Sequence, residues 1–143
     1  MAILGVGNPM RGDDGLGPHA ARRLAQEPPP RTLVLDVESV PEAFTGKVEE
    51  FGATHVVIID AANLGGAPGE TRLIEGSQIK GVAISTHSLP LNIFIHYVEE
   101  AVGAEVRVVG VQPASLRLGE GLTPRVEEAV EKVVETLRRI LSE

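Results

Sequence analysis

The chain has 143 residues, a formal net charge of -7 and a hydrophobic content of 43%, and it contains no cysteine. Its length and composition are typical of one globular domain, which we expect to span residues 1–143. The negative charge and the 3% aromatic content oppose nucleic-acid binding, which depends on cationic contacts with phosphate and on stacking of bases. The absence of cysteine excludes disulfides, thiolate metal sites and a cysteine nucleophile, so any metal must bind oxygen or imidazole ligands.

The start of the chain has the pattern of a first strand and not that of a targeting segment. Met1 leads directly to Ile3, Leu4 and Val6 without a basic region or a long apolar stretch. No apolar run approaches the roughly 18 residues that a membrane-spanning helix requires. We therefore expect a cytoplasmic protein that does not bind membranes.

Short runs of β-branched residues alternate with longer segments of helical period along the whole chain. This alternation predicts an α/β fold in which a mainly parallel β-sheet is sandwiched between helices. No internal repeat and no change in composition marks a second domain. The predicted strands are residues 2–6, 32–37, 55–59, 71–75, 82–85 and 105–111.

Amphipathic segments between these strands predict four helices. The clearest one follows Thr123 and Pro124, which suit an N-cap and a first helical position, and its apolar residues recur at three- and four-residue steps up to Leu141. The helix predicted over residues 91–102 is expected to end at Gly103. The other two predicted helices are residues 15–26 and 41–51.

Polar residues follow several of the predicted strands. Asp13 and Asp14 lie in the loop after the first strand, Asp60 directly follows the third, and His87 lies just after the fifth. In open parallel sheets the loops at the carboxyl ends of the strands converge on one crevice, where ligands bind. Two carboxylates and one imidazole at this edge could meet around a divalent cation, although such a donor set does not select one metal.

Each of these residues also has a purely structural interpretation. Asp13 or Asp14 can cap the helix that follows, because free backbone amides and the helix dipole favour a carboxylate there. Asp60 can cap a turn, and His87 can cap a helix through its ring. A buried carboxylate must be paired, hydrogen-bonded or metal-bound, so these alternatives remain open at the level of sequence.

Several familiar functional patterns are missing. The first loop has Met10 where the dinucleotide-binding fingerprint requires a third glycine, and no Gly-Lys-Ser/Thr follows. A serine elbow and a His-Glu-x-x-His zinc helix are also absent. We expect the other histidines, His19, His55 and His96, to be structural or solvated.

Five motifs span nearly the whole chain. They are Gly5-Val-Gly-Asn-Pro-Met-Arg-Gly-Asp-Asp-Gly-Leu-Gly17, Ile59-Asp-Ala61, Pro68-Gly-Glu70, Ser85-Thr-His-Ser-Leu-Pro-Leu-Asn92 and Gly110-Val-Gln-Pro113. In this order they resemble the [NiFe]-hydrogenase maturation endopeptidases, most closely the branch that serves hydrogenase 3 of formate hydrogenlyase. The resemblance implies an α/β sandwich that removes a short C-terminal extension from the large-subunit precursor after nickel has been inserted.

The resemblance also implies which residues form the site. The metal-contacting residues of the family fall on Asp14, Asp60 and His87, and Asn8 and Asp13 beside them are hypothesised to support them. Many members carry Glu in place of Asp14, a conservative difference that shortens the reach of the ligand here. In the family the nickel belongs to the substrate, so no permanently bound cofactor is expected.

Three points stay open at the level of sequence. The peptide bond could be cleaved through a metal-polarised carbonyl, through a metal-activated water, or with an aspartate as general base. The same three residues could serve a nickel or zinc chaperone without proteolysis, and a small nucleotide-binding domain is a further alternative. The hydrogenase, the cleavage position and the oligomeric state are not predicted.

Overall fold

The structure is a computed structural model that describes residues 1–75, 83–84 and 91–142. Its strands and helices alternate along the chain. A 3₁₀ turn precedes each of the first two helices, at Gly12–Gly15 and Pro41–Phe44. The strands are β1 (Ala2–Val6), β2 (Leu33–Glu38), β3 (His55–Asn63), β4 (Thr71–Glu75), β5 (Ala83–Ile84) and β6 (Glu105–Val111), and the helices are α1 (Leu16–Gln26), α2 (Thr45–Phe51), α3 (Leu91–Tyr97, continued by a π-helical turn at Val98–Val102) and α4 (Pro124–Leu141).

The strands form a mainly parallel sheet, as predicted. The order is β2-β1-β3-β6-β4, in which β1 pairs in parallel with β2 and β3, and β3 pairs in parallel with β6. Strand β4 is antiparallel to β6, and the two-residue β5 pairs antiparallel with the last residues of β3. The carboxyl ends of β1, β3 and β6 therefore meet at one edge of the sheet, where ligands bind in folds of this kind.

Apolar side chains cover both faces of the sheet. Successive strand residues point to opposite faces, so Ile3 and Ile59 belong to one apolar layer while Leu4 and Ile58 belong to the other. The helices complete both layers, which confirms the predicted sandwich. The helical residues in the first layer include Leu16, Leu24, Val126, Val130 and Val134, and those in the second include Val48, Leu91, Phe94, Ile95 and Val98.

The predicted strands agree with the structure except at some ends. Strands β1, β4 and β6 have the predicted ends, and β2 is shifted by one residue. The third strand was predicted to end at Ile59, and this is wrong, because β3 continues to Asn63. Pairing with β6 and then with β5 sustains the strand, so Asp60 lies within β3 and not after it. Residues 82 and 85 of the fifth predicted strand lie outside the described residues.

The helices begin and end close to the predicted positions. Gly103 ends the third helical segment with a φ of 79°, a left-handed conformation that glycine adopts without strain. Helix α4 begins at Pro124 as predicted, but the Thr123 side chain does not cap it. Among the described residues, no helix is long and apolar enough to cross a membrane.

Candidate active site

Asp14 lies in the 3₁₀ turn that leads from β1 into α1, and it is 1% exposed. Its Oδ2 accepts a hydrogen bond of 3.0 Å from the backbone amide of Asn8. The side-chain Oδ1 of Asn8 accepts a hydrogen bond of 2.9 Å from the backbone amide of Met10, which folds the loop after β1. Asn8 therefore folds the loop and contacts Asp14, while its supporting role stays a prediction.

Asp60 is fully buried within β3. Its backbone pairs with Gly110 of β6, and its Oδ1 accepts a hydrogen bond of 2.8 Å from the amide of Ala61. By the alternation of the strand, its side chain leaves the sheet on the same face as Ile58, which is the face covered by α3. The carboxylate is thus placed near the carboxyl edge, one residue past Ile59, the last residue of β3 that pairs with β1.

Asp13 is also fully buried, but its carboxylate accepts hydrogen bonds from the segment between β6 and α4. Its Oδ2 accepts hydrogen bonds from the amides of Ala114 and Ser115 and from the hydroxyl of Thr123, at 2.8, 3.0 and 2.9 Å. Its Oδ1 accepts from the amide of Thr123 at 2.7 Å. A carboxylate has about four lone-pair sites, so these contacts leave Asp13 poorly suited to bind a metal.

The structure separates the two adjacent aspartates that the sequence left unassigned. The N-cap of α1 is Gly15, which has no side-chain capping bond, so neither Asp13 nor Asp14 caps α1 with its carboxylate. Asp13 binds the start of α4 instead, while Asp14 stays with the loop that follows β1. The expectation that one of the pair caps the helix that follows is therefore wrong, and Asp13 instead binds the segment that leads into α4.

Close contact between α1 and the sheet brings the Asp14 turn against the end of β3. A Cβ on Gly17 would lie 2.3 Å from the carbonyl oxygens of Val6 and Ile59, and a Cβ on Gly5 would lie 2.1 Å from the carbonyl oxygen of Gly17. These distances are too short for any side chain. The two glycines therefore allow the segment with Asp14 to pack against the part of β3 that precedes Asp60.

The third predicted member of the site, His87, lies outside the described residues. Within residues 1–75, 83–84 and 91–142, no group of three His, Asp or Glu side chains is arranged to hold a metal. The structure thus describes the two carboxylates Asp14 and Asp60 and their supports. The assignment of His87 stays a prediction.

The other histidines lie where they were expected. The Nε2 of His19, on α1, is 3.7 Å from Glu131, and the His55 ring hydrogen-bonds with the Thr54 hydroxyl at 2.9 Å. His96 is exposed on α3. These positions support the prediction that the three histidines are structural or solvated.

A charge pair joins α1 to α4 away from the two buried carboxylates. The Arg23 guanidinium donates two hydrogen bonds to Glu131, from Nε at 2.8 Å and from Nη2 at 2.7 Å. These bonds from Arg23 are the main cause that lowers the pKa of Glu131 below its ordinary value. Hydrogen bonding and attraction to Glu131 likewise raise the pKa of Arg23.

A groove of about 660 Å³ lies between β4 and α4, and its walls are mostly apolar. Leu73, Val109, Val133 and Leu137 are among its lining residues, whereas Asp14 and Asp60 are not. The position of this cavity therefore does not identify the site. The buried carboxylates of Asp14 and Asp60 are the stronger indication, because they lie at the carboxyl edge, where ligands bind in folds of this kind.

Sequence comparisons connect the chain with hydrogenase maturation. The family model HycI, described as hydrogenase maturation protease, matches residues 18–140. The hydrogenase 3 maturation protease of Escherichia coli is 37% identical over 136 residues, which are 94% of this chain and 86% of that protein. The predicted resemblance to the hydrogenase 3 branch is thereby confirmed.

Solved structures agree with this relationship. The [NiFe] hydrogenase maturation protease HycI from Thermococcus kodakarensis has a TM-score of 0.90 and 36% identity, over 99% of this chain and 92% of that one. HybD from the same organism has a TM-score of 0.81 and 26% identity, over 98% and 97% of the two chains. The chain therefore belongs to the hydrogenase maturation protease family and is an enzyme that hydrolyses peptide bonds.

Proposed function

We propose that the chain removes a C-terminal extension from the precursor of a [NiFe]-hydrogenase large subunit, in the cytoplasm. The observation that carries this proposal is the burial of two carboxylates, Asp14 and Asp60, at the carboxyl edge of the sheet in a maturation protease. A hydrogenase precursor as substrate is supported by the relatives, among them the hydrogenase 3 maturation protease of Escherichia coli.

We further propose that nickel already inserted into the precursor is the signal for cleavage. Asp14, Asp60 and His87 would contact this nickel when the precursor docks, and Asn8 and Asp13 would hold Asp14 in place. Carboxylate oxygen and imidazole nitrogen suit a first-row divalent metal. In this proposal the metal belongs to the substrate, so the protease alone needs no permanently bound cofactor.

Two mechanisms of bond cleavage fit a site of this composition. Nickel held at the edge can polarise the scissile carbonyl or lower the pKa of a bound water. Alternatively, Asp14 or Asp60 can act as general base toward the attacking water, as in an aspartyl-type protease. The general-base route requires one of the two carboxylates to receive a proton during the reaction, whereas the metal route requires both as ligands.

The proposal is tested by incubating the purified protease with nickel-loaded and nickel-free precursor and following the precursor mass by mass spectrometry. We expect loss of the extension from the nickel-loaded precursor alone. Cleavage of both forms at the same rate would contradict the role of nickel. Failure to cleave any nickel-loaded candidate precursor would contradict the proposed substrate.

Metal binding by the isolated protein distinguishes the protease from a metal chaperone. Equilibrium dialysis should show weak binding of free nickel, because the proposed site is completed by the precursor. Tight binding together with transfer of nickel to the precursor, and no change in precursor mass, would favour a chaperone.

A further inference from the structure

Two of the five sequence motifs, Pro68-Gly-Glu70 and Gly110-Val-Gln-Pro113, have no role in the proposed site, yet they meet in the structure. The amide of Gly69 donates to the carbonyl of Gln112 at 2.9 Å, and the amide of Gln112 donates to the carbonyl of Glu70 at 2.8 Å. These bonds join the loop after β3 to the end of β6. The two motifs therefore form one structural unit.

The side chain of Gln112 adds bonds to the residues that follow β3. Its Oε1 accepts hydrogen bonds from the amides of Leu64 and Gly66, at 2.6 and 3.4 Å. Leu64 directly follows β3, four residues after Asp60. The Gln112 amide group thus binds the chain at the point where the strand that carries Asp60 ends.

The segment that begins at Gln112 is also bound to the turn that carries Asp14. Besides the four bonds to the Asp13 carboxylate, the amide of Asp13 donates to the carbonyl of Ser115 at 2.8 Å. The amide of Gly119 donates to the carbonyl of Met10 at 3.0 Å, and Arg11 forms an isolated bridge with Leu118. The contact with the Asp14 loop therefore extends along much of this segment.

We infer that residues 112–123, which connect β6 to α4, form a scaffold that sets the position of Asp14 relative to Asp60, with Gln112 and Asp13 as its positioning residues. One end of the segment holds the continuation of β3, and the rest holds the turn before α1. The inference rests on the proposed function, because the relative position of Asp14 and Asp60 matters only if they act on one substrate.

We expect Gln112 to contribute to turnover and not only to folding. Misplacement of a reacting group by about 1 Å can cost about 100-fold in rate, so loosening this segment should mainly reduce kcat. Gln112→Ala removes the acceptor for Leu64 and Gly66. Gln112→Glu retains an acceptor of the same reach, and Gln112→Asn shortens the side chain by one methylene.

The matched control is Val134→Ala, which shortens a fully buried side chain of α4 in the apolar layer. It destabilises the fold by leaving a cavity, and it lies in α4, outside the connection from β6 to α4. Cleavage of nickel-loaded precursor is measured at a temperature at which all variants are folded, and the unfolding midpoint is measured beside it.

We expect Gln112→Ala and Gln112→Asn to lower kcat at least about 10-fold with little change in KM. Gln112→Glu should lose less, because it keeps the acceptor for Leu64 and Gly66 and loses only the bond of 3.4 Å that Nε2 donates to the Pro113 carbonyl. Val134→Ala should keep the wild-type kcat although its unfolding midpoint falls. Wild-type kcat in Gln112→Ala or Gln112→Asn, or an equal loss of kcat in Val134→Ala, would overturn the inference.

Hydrogen exchange tests the scaffold without the cleavage reaction. The amides of Asn8 and Ala61 are hydrogen-bonded to the carboxylates of Asp14 and Asp60, so their exchange rates report on both groups. Gln112→Ala should accelerate exchange at Ala61 about 10-fold more than Val134→Ala does, and unchanged exchange would refute the scaffold. Failure of the wild type to cleave would instead count against the proposed function, which this measurement does not use.

Discussion

Carboxylates at the carboxyl edge of the sheet and charges between α1 and α4 are held in different ways. Asp13, Asp14 and Asp60 are at most 1% exposed and accept hydrogen bonds from backbone amides. Arg23 and Glu131 keep 37% and 35% of their side chains exposed and bind each other. Partly exposed ion pairs contribute little to stability, whereas charge in a low-dielectric setting interacts strongly with a cation. The proposed contact with nickel thus depends on buried carboxylates, whereas the Arg23 and Glu131 pair is a partly exposed surface contact.

The largest expected effect comes from removing charge at the edge while keeping shape. Asp14→Asn and Asp60→Asn should each lower kcat for nickel-loaded precursor at least about 100-fold, because an electrostatic contact at the reacting groups is lost. Circular dichroism and the unfolding midpoint should show a folded protein. The matched control is Asp36→Asn, which changes an aspartate of β2 that pairs with Arg22 at the surface.

Retention of full activity in both edge variants would remove the proposed distinction between the edge and the surface. An equal loss of activity in Asp36→Asn would do the same, because the effect would then follow from any lost aspartate.

Asp13 should affect stability more than any other charged residue of the edge. Asp13→Ala leaves the amides of Ala114, Ser115 and Thr123 without their buried acceptor, and each such group costs about 1–3 kcal/mol. We expect the free energy of unfolding, measured by urea denaturation, to fall by at least about 3 kcal/mol. Asp13→Asn keeps one carbonyl acceptor and should lose less.

A stability of Asp13→Ala close to that of the wild type would show that water replaces the carboxylate. The assignment of a structural role to Asp13 and of a functional role to Asp14 would then be wrong.

The sequence predicted the sheet and its layers because these depend on local periodicity. Strands β1, β4 and β6 are short apolar or β-branched runs whose ends coincide with a change of pattern. The end of β3 was not predictable in this way. Asp60 resembles the first residue of a loop, and only pairing with β5 and β6, distant in sequence, keeps it in the strand.

The residues of the candidate site could be named from the sequence, but the role of each residue could not. Asp13 and Asp14 are adjacent and chemically alike, yet the partners of Asp13 lie 101–110 residues further along the chain. No local pattern reveals such a contact. Gln112 belonged to a recognised motif without a role, and the sequence showed only a polar side chain at the end of a β-branched strand, which does not reveal its bonds to Leu64 and Gly66.

Substitution of Gly17 tests whether close packing of α1 against the sheet positions the turn that carries Asp14. Gly17→Ala introduces a Cβ that would lie 2.3 Å from two carbonyl oxygens, so α1 must move away from the sheet. We expect a loss of about 1–3 kcal/mol in the free energy of unfolding, together with reduced cleavage. Gly46→Ala in α2 is the control, because no atom lies within 4 Å of its added Cβ. It should be neutral or slightly stabilising, and equal losses in both variants would contradict the packing argument.

The smallest expected effect is that of the Arg23 and Glu131 pair, and its sign depends on pH. The pKa of Glu131 is lowered in the folded protein from an ordinary value of 4.5, mainly by hydrogen bonds from Arg23. The pair therefore contributes stability above pH 4.5 that is lost as the pH falls through the lower folded-state pKa. Because both side chains are more than a third exposed, solvent screens the interaction. Glu131→Gln should lower the melting temperature at pH 7 by less than about 3 °C.

This difference between Glu131→Gln and the wild type should begin to shrink below pH 4.5, where Glu131 of the unfolded chain takes up a proton, and should vanish once the pH is below the lowered pKa of the folded protein, where the carboxyl no longer pairs with Arg23 as an anion. Melting curves from pH 7 to pH 3 measure the difference directly. Cleavage at pH 7 should stay unchanged, since the pair joins α1 to α4 and is not part of the proposed site. A loss of activity comparable to that of Asp60→Asn would mean that the Arg23 and Glu131 pair also contributes to cleavage. The difference in burial would then not separate a functional region from a surface contact.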